Sequence, residues 1–222
     1  MPRRVPAAAI FDNDGLTLDT EPAWTRAETA LYARHGMPFT IDHKRDLLGT
    51  SRAAGIAKLE RHLGLPGRGE ALARELHELV MDELVAGAPP MPGAEALLRA
   101  LRAAGVPVGL ASNSSRAFVA RALAASGLDG AFDAVVTADD VPRAKPAPDV
   151  YLAAAAALGA QPADCAALED SQTGVAAARA AGMFVIGVPS LPGVRLDEAD
   201  VVAASLEDPR VWEALGLPAP VP

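Results

Sequence analysis

The chain has 222 residues, half of them hydrophobic, and 20 Lys and Arg against 28 Asp and Glu give it a formal net charge of −8. Because it contains no basic block and no apolar run of about 20 residues, these properties argue against nucleic-acid binding and against a membrane span. Its one cysteine, Cys165, excludes an internal disulfide, and its first residues do not resemble a cleavable leader, so we expect a cytoplasmic protein with no nucleic-acid or membrane partner.

The first predicted element is a short buried strand over residues 5–11, rich in Ala and β-branched residues and ended by an Asn-Asp-Gly turn signal. Asp12 and Asp14 therefore follow the carboxyl end of a strand, the edge at which open α/β sheets bind ligands. Asp, Asn and Gly are also ordinary turn formers. This stretch alone leaves a plain strand-to-turn junction as an equal alternative.

Residues 16–88 carry helical periodicity and little strand signal, in the stretches EPAWTRAETALYARHG, SRAAGIAKLERHLG and GEALARELHELVMDELVAG. We therefore predict that residues 16–88 form an all-helical cap domain, inserted into a core made of residues 1–15 and 89–222. The Pro- and Gly-rich stretch GAPPMPG at the end of the insert and residues 15–18 at its beginning predict a two-stranded hinge.

From Pro92 onward, helical stretches alternate with short apolar ones, which is typical of βαβ units and a parallel sheet. The predicted helices are GAEALLRALRAAG, RAFVARALAASG, DVYLAAAAALG and SQTGVAAARAAG, and the predicted strands are VPVGLAS, FDAVVTADD, CAALED and MFVIGV. The predicted fold class is thus α/β, with a doubly wound parallel-sheet (Rossmann-like) core and an inserted helical cap.

Polar residues follow the predicted strands in chain order: Asp12 and Asp14, Ser112 and Asn113, Lys145, then Glu169 and Asp170. Parallel strands place their carboxyl ends at one edge of the sheet, so these residues are expected to converge. Lys145 and the Glu169–Asp170 pair are not favoured turn residues, which makes turn chemistry a poor explanation for the whole set. The pattern therefore indicates a site.

Each of these residue types has a role if the substrate is a phosphate ester. Asp12, Asp170 and Glu169 offer the hard oxygen ligands that Mg²⁺ prefers. One carboxylate can attack phosphorus, while a second one, two residues on, donates a proton and then activates water. Lys145 and Ser112 supply the positive charge and the hydrogen bond that a transferring phosphoryl group needs.

Four stretches, FDNDGLTLDT, ASNS, KPAPDVY and EDSQTGVAAARAAGM, resemble the motifs of the haloacid dehalogenase superfamily in order and spacing. The resemblance covers nearly the whole chain and is to capped phosphatase-type members, the β-phosphoglucomutase-like and phosphoglycolate phosphatase-like group. It implies Asp12 as nucleophile, Asp14 as general acid and base, Ser112 and Asn113 as phosphate-binding residues, Lys145 as charge stabiliser, and Glu169 and Asp170 with Asp12 and the Asp14 carbonyl at Mg²⁺.

The cap carries two further candidates for substrate binding. LLGTSR, residues 47–52, looks like the segment with which β-phosphoglucomutase-like members present an arginine to the substrate, so Arg52 is a candidate. The alternative for Arg52 is a solvated arginine at a helix start. Glu21 ends the first motif and is a second candidate, with a hinge or helix-capping role as its alternative. Trp24 stands where the mutases carry a histidine, which favours hydrolysis.

The remaining candidate residues are weaker. His35, His43, His62 and His77 lie in the predicted cap without metal-ligand spacing, so we interpret them as surface or packing residues. Cys165 begins an apolar stretch and is predicted to be a small buried hydrophobe.

The function predicted from these observations is a Mg²⁺-dependent phosphatase that hydrolyses a small phosphorylated metabolite, a sugar or polyol phosphate, through an aspartyl-phosphate. The alternatives are a β-phosphoglucomutase-type mutase, which Trp24 disfavours, and a receiver-like signalling module, against which the insert and the chain length argue. A dehalogenase is disfavoured because such members lack the second acid, Asp14. The substrate's identity and the oligomeric state are left open.

Overall fold

The computed structural model describes residues 5–47, 50, 52–84, 87–190 and 193–219. Six parallel strands form one sheet in the order β3-β2-β1-β4-β5-β6. They are β1 (Ala8–Phe11), β2 (Val108–Ala111), β3 (Ala134–Val136), β4 (Cys165–Glu169), β5 (Phe184–Gly187) and β6 (Val201–Val202). The helices are α1 (Glu21–Arg34), α2 (Ile41–Leu47), α3 (Arg52–Leu63), α4 (Gly69–Glu83), α5 (Ala94–Ala103), α6 (Arg116–Ser126), α7 (Asp149–Ala157), α8 (Gln172–Ala180) and α9 (Pro209–Ala214).

Helices cover both faces of the sheet. The side chains of each strand alternate between the two faces, so neighbouring residues pack against different helices. Ala9 and Phe11 of β1 join the hydrophobic cluster that includes residues of α5, α6 and α9, whereas Ala8 and Ile10 join the cluster with residues of α7 and α8. This arrangement confirms the predicted α/β, doubly wound, Rossmann-like fold class.

The first strand is shorter than the predicted span of residues 5–11. Val5 is 44% exposed, and strand pairing begins only at Ala8, which lies opposite Cys165. Pro6 has no N–H to donate to a sheet ladder, which accounts for the late start. Cys165 itself is buried at the beginning of β4, as expected for a small hydrophobe.

Between β1 and α5 the described chain is helical, in α1 to α4. The two connections to this insert lie side by side. The N–H of Asp19 donates to the carbonyl of Pro89 (2.8 Å), and the N–H of Met91 donates to the carbonyl of Thr17 (2.9 Å). Leu18 forms bridges to both Asp14 and Pro90. Buried residues of the insert belong to the same hydrophobic cluster as α5, α6 and α9. Within the ranges that the structure describes, no helix is long and apolar enough to cross a membrane.

Candidate active site

Asp12 lies immediately after β1, at the centre of the sheet's carboxyl edge. Its N–H continues the ladder by donating to the carbonyl of Leu168 (3.0 Å), and its own carbonyl accepts from the Thr17 hydroxyl (2.5 Å). The carboxyl group is held as well, because Lys145 Nζ donates to Asp12 Oδ1 at 2.6 Å. Asp12 is only 7% exposed. Its carboxylate is therefore fixed in position on both sides.

Lys145 is held in place by several neighbouring strands. Its Nζ also donates to Glu169 Oε1 (2.6 Å) and to the carbonyl of Ala111 (2.8 Å), so the ammonium group links the ends of β1, β2 and β4. Asn113 holds the main chain of Lys145: its Oδ1 accepts from the Lys145 N–H (2.8 Å) and its Nδ2 donates to the Lys145 carbonyl (3.2 Å). The Asn113 amide thus positions the lysine, and the predicted binding of phosphate by Asn113 stays a prediction.

Glu169 is the fully buried anchor of this network. Its Oε1 accepts from the Tyr151 hydroxyl (2.6 Å) as well as from Lys145, and its Oε2 accepts from the Ser171 hydroxyl (3.2 Å). Close packing against α8 completes the enclosure, because a Cβ added at Gly174 would lie 1.9 Å from the Glu169 carboxyl carbon. The Ser171 N–H also donates to Oε2 (3.5 Å), so Glu169 already accepts four hydrogen bonds from the protein.

Asp170 follows β4 and lies beside Asp12. Its Oδ2 accepts from the Ser190 hydroxyl (2.6 Å). The loop after β1 approaches it closely at Gly15, where φ is +83° and an added Cβ would lie 2.6 Å from Asp170 Oδ2. A glycine is required there both by the left-handed backbone and by the missing space.

Asp14 is positioned by hydroxyl groups. Thr20 donates to its Oδ1 (2.8 Å), and Ser114 and Ser112 donate to its Oδ2 (2.8 and 3.3 Å). The Ser112 oxygen in turn accepts from the Ser114 N–H (3.0 Å). The predicted site residues after β1, β2 and β4, together with Lys145, are thus brought together at one edge of the sheet.

Burial and crowding set the electrostatics of this edge. Desolvation raises the pKa of Asp12 to about 8, and the Glu169 and Asp14 charges add to that rise while Lys145 opposes it. Desolvation and the charges of Asp12 and Glu169 likewise raise the pKa of Asp170 well above its ordinary value. Burial lowers the pKa of the Lys145 ammonium, but the charges of Asp12 and Glu169 outweigh burial and the net shift is upward. Negative charge on both Asp12 and Asp170 is therefore disfavoured unless a cation or a proton offsets it.

A divalent cation fits this donor set. Ligand oxygens of Asp12, Glu169 and Asp170 lie within 4.8 Å of one another, and all three residues are buried. Among the described residues no histidine belongs to such a group. Oxygen ligands of this kind suit Mg²⁺. The carboxyl groups of Asp12 and Asp170 accept fewer hydrogen bonds from the protein than that of Glu169 does. The predicted place of Glu169 at the metal stays a prediction.

A cavity of about 370 Å³ opens between this edge and the helical insert. From the core it is lined by residues that include Asp12, Asp14, Lys145 and Asp170, and from the insert by residues that include Trp24, Leu47, Arg52, Leu59 and His77. The rings of Trp24 in α1 and Phe118 in α6 join the two sides, with centroids 5.3 Å apart.

The two predicted cap candidates occupy different surroundings in the cavity wall. Arg52 begins α3 and donates to Glu70 Oε2 (2.6 Å) in an exposed ion pair. Glu21 begins α1 and pairs with Lys44 Nζ at 2.7 Å, largely out of solvent. Half of the LLGTSR segment, residues 48, 49 and 51, lies outside the described residues.

Several residues that contact these groups were not identified from the sequence. They are Tyr151 and Ser171 at Glu169, Ser114 and Thr20 at Asp14, Ser190 at Asp170, and Lys44 and Glu28 in the insert. Thr20, Ser114, Tyr151 and Ser171 are the four that a signal could have found, since all of them lie within the four motif stretches. The others reach the site through tertiary packing.

The family model for haloacid dehalogenase-like hydrolases matches residues 6–182. The chain belongs to this family. The resemblance drawn from the four motifs is therefore confirmed, and the chain is a hydrolase. Hexitol phosphatase B of Escherichia coli is 35% identical over 97% of this chain and 99% of its own length.

This hydrolase is also similar to a longer plant protein and to a solved bacterial structure. The bifunctional riboflavin kinase/FMN phosphatase of Arabidopsis thaliana is 33% identical over 97% of this chain, which spans 57% of that protein. The crystal structure of CbbY from Rhodobacter sphaeroides in complex with phosphate superimposes with a TM-score of 0.81 at 28% identity, covering 90% of this chain and 95% of that one.

Proposed function

We propose that this haloacid dehalogenase-like hydrolase is a Mg²⁺-dependent phosphatase that acts on a small sugar or polyol phosphate through an aspartyl-phosphate on Asp12. The observation that carries the proposal is the buried contact of Lys145 Nζ with Asp12 Oδ1 and Glu169 Oε1, each at 2.6 Å, at the floor of a cavity large enough for such a metabolite. A carboxylate at an open cavity, beside a fixed ammonium, is placed for attack on a phosphate ester.

In the first half-reaction an Asp12 carboxylate oxygen attacks phosphorus, and the bond from phosphorus to the ester oxygen breaks. Asp14 gives its proton to the leaving oxygen, in the role of general acid. The three hydroxyl groups that hold the Asp14 carboxyl group fix its direction for this transfer. The ammonium group of Lys145 stabilises the charge that develops on the phosphoryl oxygens.

In the second half-reaction Asp14 accepts a proton from water, which attacks the same phosphorus. The bond between phosphorus and the Asp12 oxygen breaks, inorganic phosphate forms and the carboxylate is restored. We propose that Ser112 and the main chain at Asn113 hold the phosphoryl group through both steps.

The ligands proposed for Mg²⁺ are Asp12, Asp170, the main-chain carbonyl of Asp14 and, with its remaining capacity, Glu169. When bound, the cation supplies positive charge that offsets the crowded carboxylates and the incoming phosphate. Asp170 is prepared for this role, because its Oδ2 is already oriented by Ser190.

We further propose that residues 16–88 act as a cap over the cavity, with core residues 1–15 and 89–222 beneath, and that Arg52 and Glu21 contact the substrate. Closing such a cap excludes water and selects the substrate. Trp24 packs on Phe118 at the position where mutases carry a histidine, which supports hydrolysis. A sugar or polyol phosphate is supported by the similarity to hexitol phosphatase B.

Hydrolysis of p-nitrophenyl phosphate with and without Mg²⁺ tests the proposal. We expect turnover with Mg²⁺, loss of turnover in excess EDTA and recovery when Mg²⁺ is restored, because three acids without a cation repel a phosphate dianion. Full activity in metal-free buffer would contradict the metal dependence. A screen of phosphorylated metabolites would then identify the substrate.

A further inference from the structure

A buried ion-pair cluster lies in the cavity wall opposite Asp12. It consists of Lys44 in α2 and of Glu21 and Glu28 in α1, and all three residues line the same cavity as the catalytic candidates. Lys44 Nζ lies 2.7 Å from Glu21 Oε2 and 3.0 Å from Glu28 Oε2. The side chains of Lys44 and Glu28 are 9% and 6% exposed, and that of Glu21 is 18% exposed. The Glu21–Lys44–Glu28 cluster is therefore built into the wall.

The charge of this cluster is opposite to what a second phosphate would need. Two carboxylates surround one ammonium group, which leaves an excess of negative charge in a desolvated place. The lysine is already committed to both acids, so it offers no unpaired cation. Burial raises the pKa of Glu28 to about 7 although Lys44 opposes the rise, so the excess negative charge is complete only above about pH 7.

We infer that the Glu21–Lys44–Glu28 cluster is a specificity subsite, which accepts the uncharged, hydroxyl-bearing end of a monophosphorylated substrate and rejects a second phosphate. The inference rests on the proposed function. Hydroxyl groups suit such a subsite because they can donate to carboxylate oxygens and accept from an ammonium group at once. A second phosphate would meet like charge with little water to screen it, which is strongly unfavourable.

The surrounding wall fits a polyol chain as well. Trp24 and Phe118 line the same cavity, and their packed rings offer an apolar surface to carbon-bound hydrogens. Arg52, the other insert cation in this wall, is paired with Glu70 on the exposed side. The lysine and the arginine that the described insert contributes to this wall are therefore both paired with carboxylates.

The test compares kcat/KM for sorbitol 6-phosphate and sorbitol 1,6-bisphosphate, which differ only in the second phosphate. For the wild-type protein we expect the monophosphate to be favoured by about tenfold or more. Glu28→Gln keeps the shape of the side chain but removes the excess charge, and we expect it to lower this preference by about tenfold. Equal efficiency for the two esters in the wild type, or an unchanged preference in Glu28→Gln, would overturn the inference.

The matched control is Glu75→Gln, which makes the same charge change at an exposed pair with Arg34 and is expected to keep the wild-type preference. Should Glu28→Gln fail to fold, Glu21→Gln applies the same test from the other carboxylate. Wild-type turnover of p-nitrophenyl phosphate with Mg²⁺ separates the two proposals: turnover without discrimination overturns the subsite alone, and no turnover of any ester overturns both.

Discussion

Charged groups at the sheet edge and charged groups in the helical insert are held in different ways. At the edge, the side chains of Lys145 and Glu169 are almost completely buried. Lys145 Nζ lies 2.6 Å from both Asp12 Oδ1 and Glu169 Oε1. In the insert, pairs such as Arg52–Glu70 and Arg34–Glu75 are largely solvated. Exposed pairs of this kind contribute only about 0–1 kcal/mol each. The charged groups of the edge are thus held in place before a ligand binds, whereas an exposed pair of the insert such as Arg52–Glu70 can be broken at small cost.

This contrast fits a division of labour between chemistry and selection. Catalytic groups gain from being fixed before the substrate arrives, because no reorganisation is then needed during the reaction. Groups that distinguish between substrates gain from weak ion pairs, because contacts with a substrate can replace them. The Glu21–Lys44–Glu28 cluster is an exception in the insert, since it is largely buried like the edge.

The largest expected effect comes from the edge itself. Asp12→Asn keeps the shape of the side chain but removes the nucleophile, so turnover should fall by more than about a hundredfold. Steady-state rates with p-nitrophenyl phosphate measure the loss, and circular dichroism checks that the fold is intact. A folded variant that keeps more than about a hundredth of the wild-type rate would rule out the covalent mechanism.

The sequence predicts the core and its sheet edge better than it predicts the helical insert. Periodicity identifies the alternating helices and strands of the core, and the parallel arrangement then brings Asp12, Lys145 and Asp170 to one edge without further information. The part played by Tyr151 could not be predicted this way. It reaches Glu169 from a helix whose rotation against the sheet is decided by packing.

The side chains that the insert turns toward the cavity are harder to predict, because helix packing decides them as well. Its helices show their periodicity, but which side chains face the cavity depends on how α1 packs on α2 and α4. Lys44 reads as an ordinary charge in a helical stretch, yet it is buried between Glu21 and Glu28. Prediction is also incomplete at the sheet edge. The position of Asn113 at a strand end was predicted, but its hydrogen bonds to the Lys145 main chain were not.

The second expected effect tests whether the edge depends on close packing. Gly174→Ala would place a Cβ against the buried carboxyl group of Glu169, which is fixed by Lys145 and Tyr151 and has little room to move. We expect the free energy of unfolding to fall by about 3 kcal/mol, with loss of activity as Lys145 loses its anchor. Urea titration and initial rates measure the two effects.

Gly55→Ala is the matched control for that substitution. Gly55 also lies inside a helix, but among the described residues the nearest atom to its added Cβ would be Thr50 Oγ1, at 3.4 Å. Alanine is the better helix former there, so this variant should gain about 0.5–1 kcal/mol. Similar destabilisation of the two variants would show that contact with Glu169 does not explain the first result.

The third expected effect addresses exchangeable contacts in the insert. Arg52→Ala should lower kcat/KM for a phosphorylated metabolite by tenfold to a thousandfold, about 1.4–4 kcal/mol, and should affect p-nitrophenyl phosphate far less. The reason is that binding energy from a remote contact is lost only with substrates that make the contact. Equal losses with both esters would place Arg52 outside specificity, and no loss would make it the solvated arginine of an exposed pair with Glu70.

The smallest expected effect concerns a second polar group of the insert, at some distance from the cavity. The His62 ring joins two elements: its Nδ1 lies 2.7 Å from the Tyr32 hydroxyl and its Nε2 lies 2.9 Å from Asp46 Oδ2. The side chain is only 12% exposed. Burial lowers the pKa of His62 below 6.5, and nearby His43 and Arg61 add to the lowering while Asp46 opposes it.

A histidine whose pKa is lowered by folding binds fewer protons in the native state than in the unfolded chain, so protonation favours unfolding. The stability that neutral His62 contributes is therefore complete above about pH 7 and declines as the pH falls through 6.5 toward the lower pKa of the folded protein. We expect the free energy of unfolding of the wild type to drop more between pH 7 and pH 5 than that of His62→Gln, as measured by urea titration. His77→Gln, which removes an imidazole outside this group of side chains, should keep the wild-type slope. If His62→Gln keeps that slope as well, burial of His62 is not what makes the insert sensitive to acid.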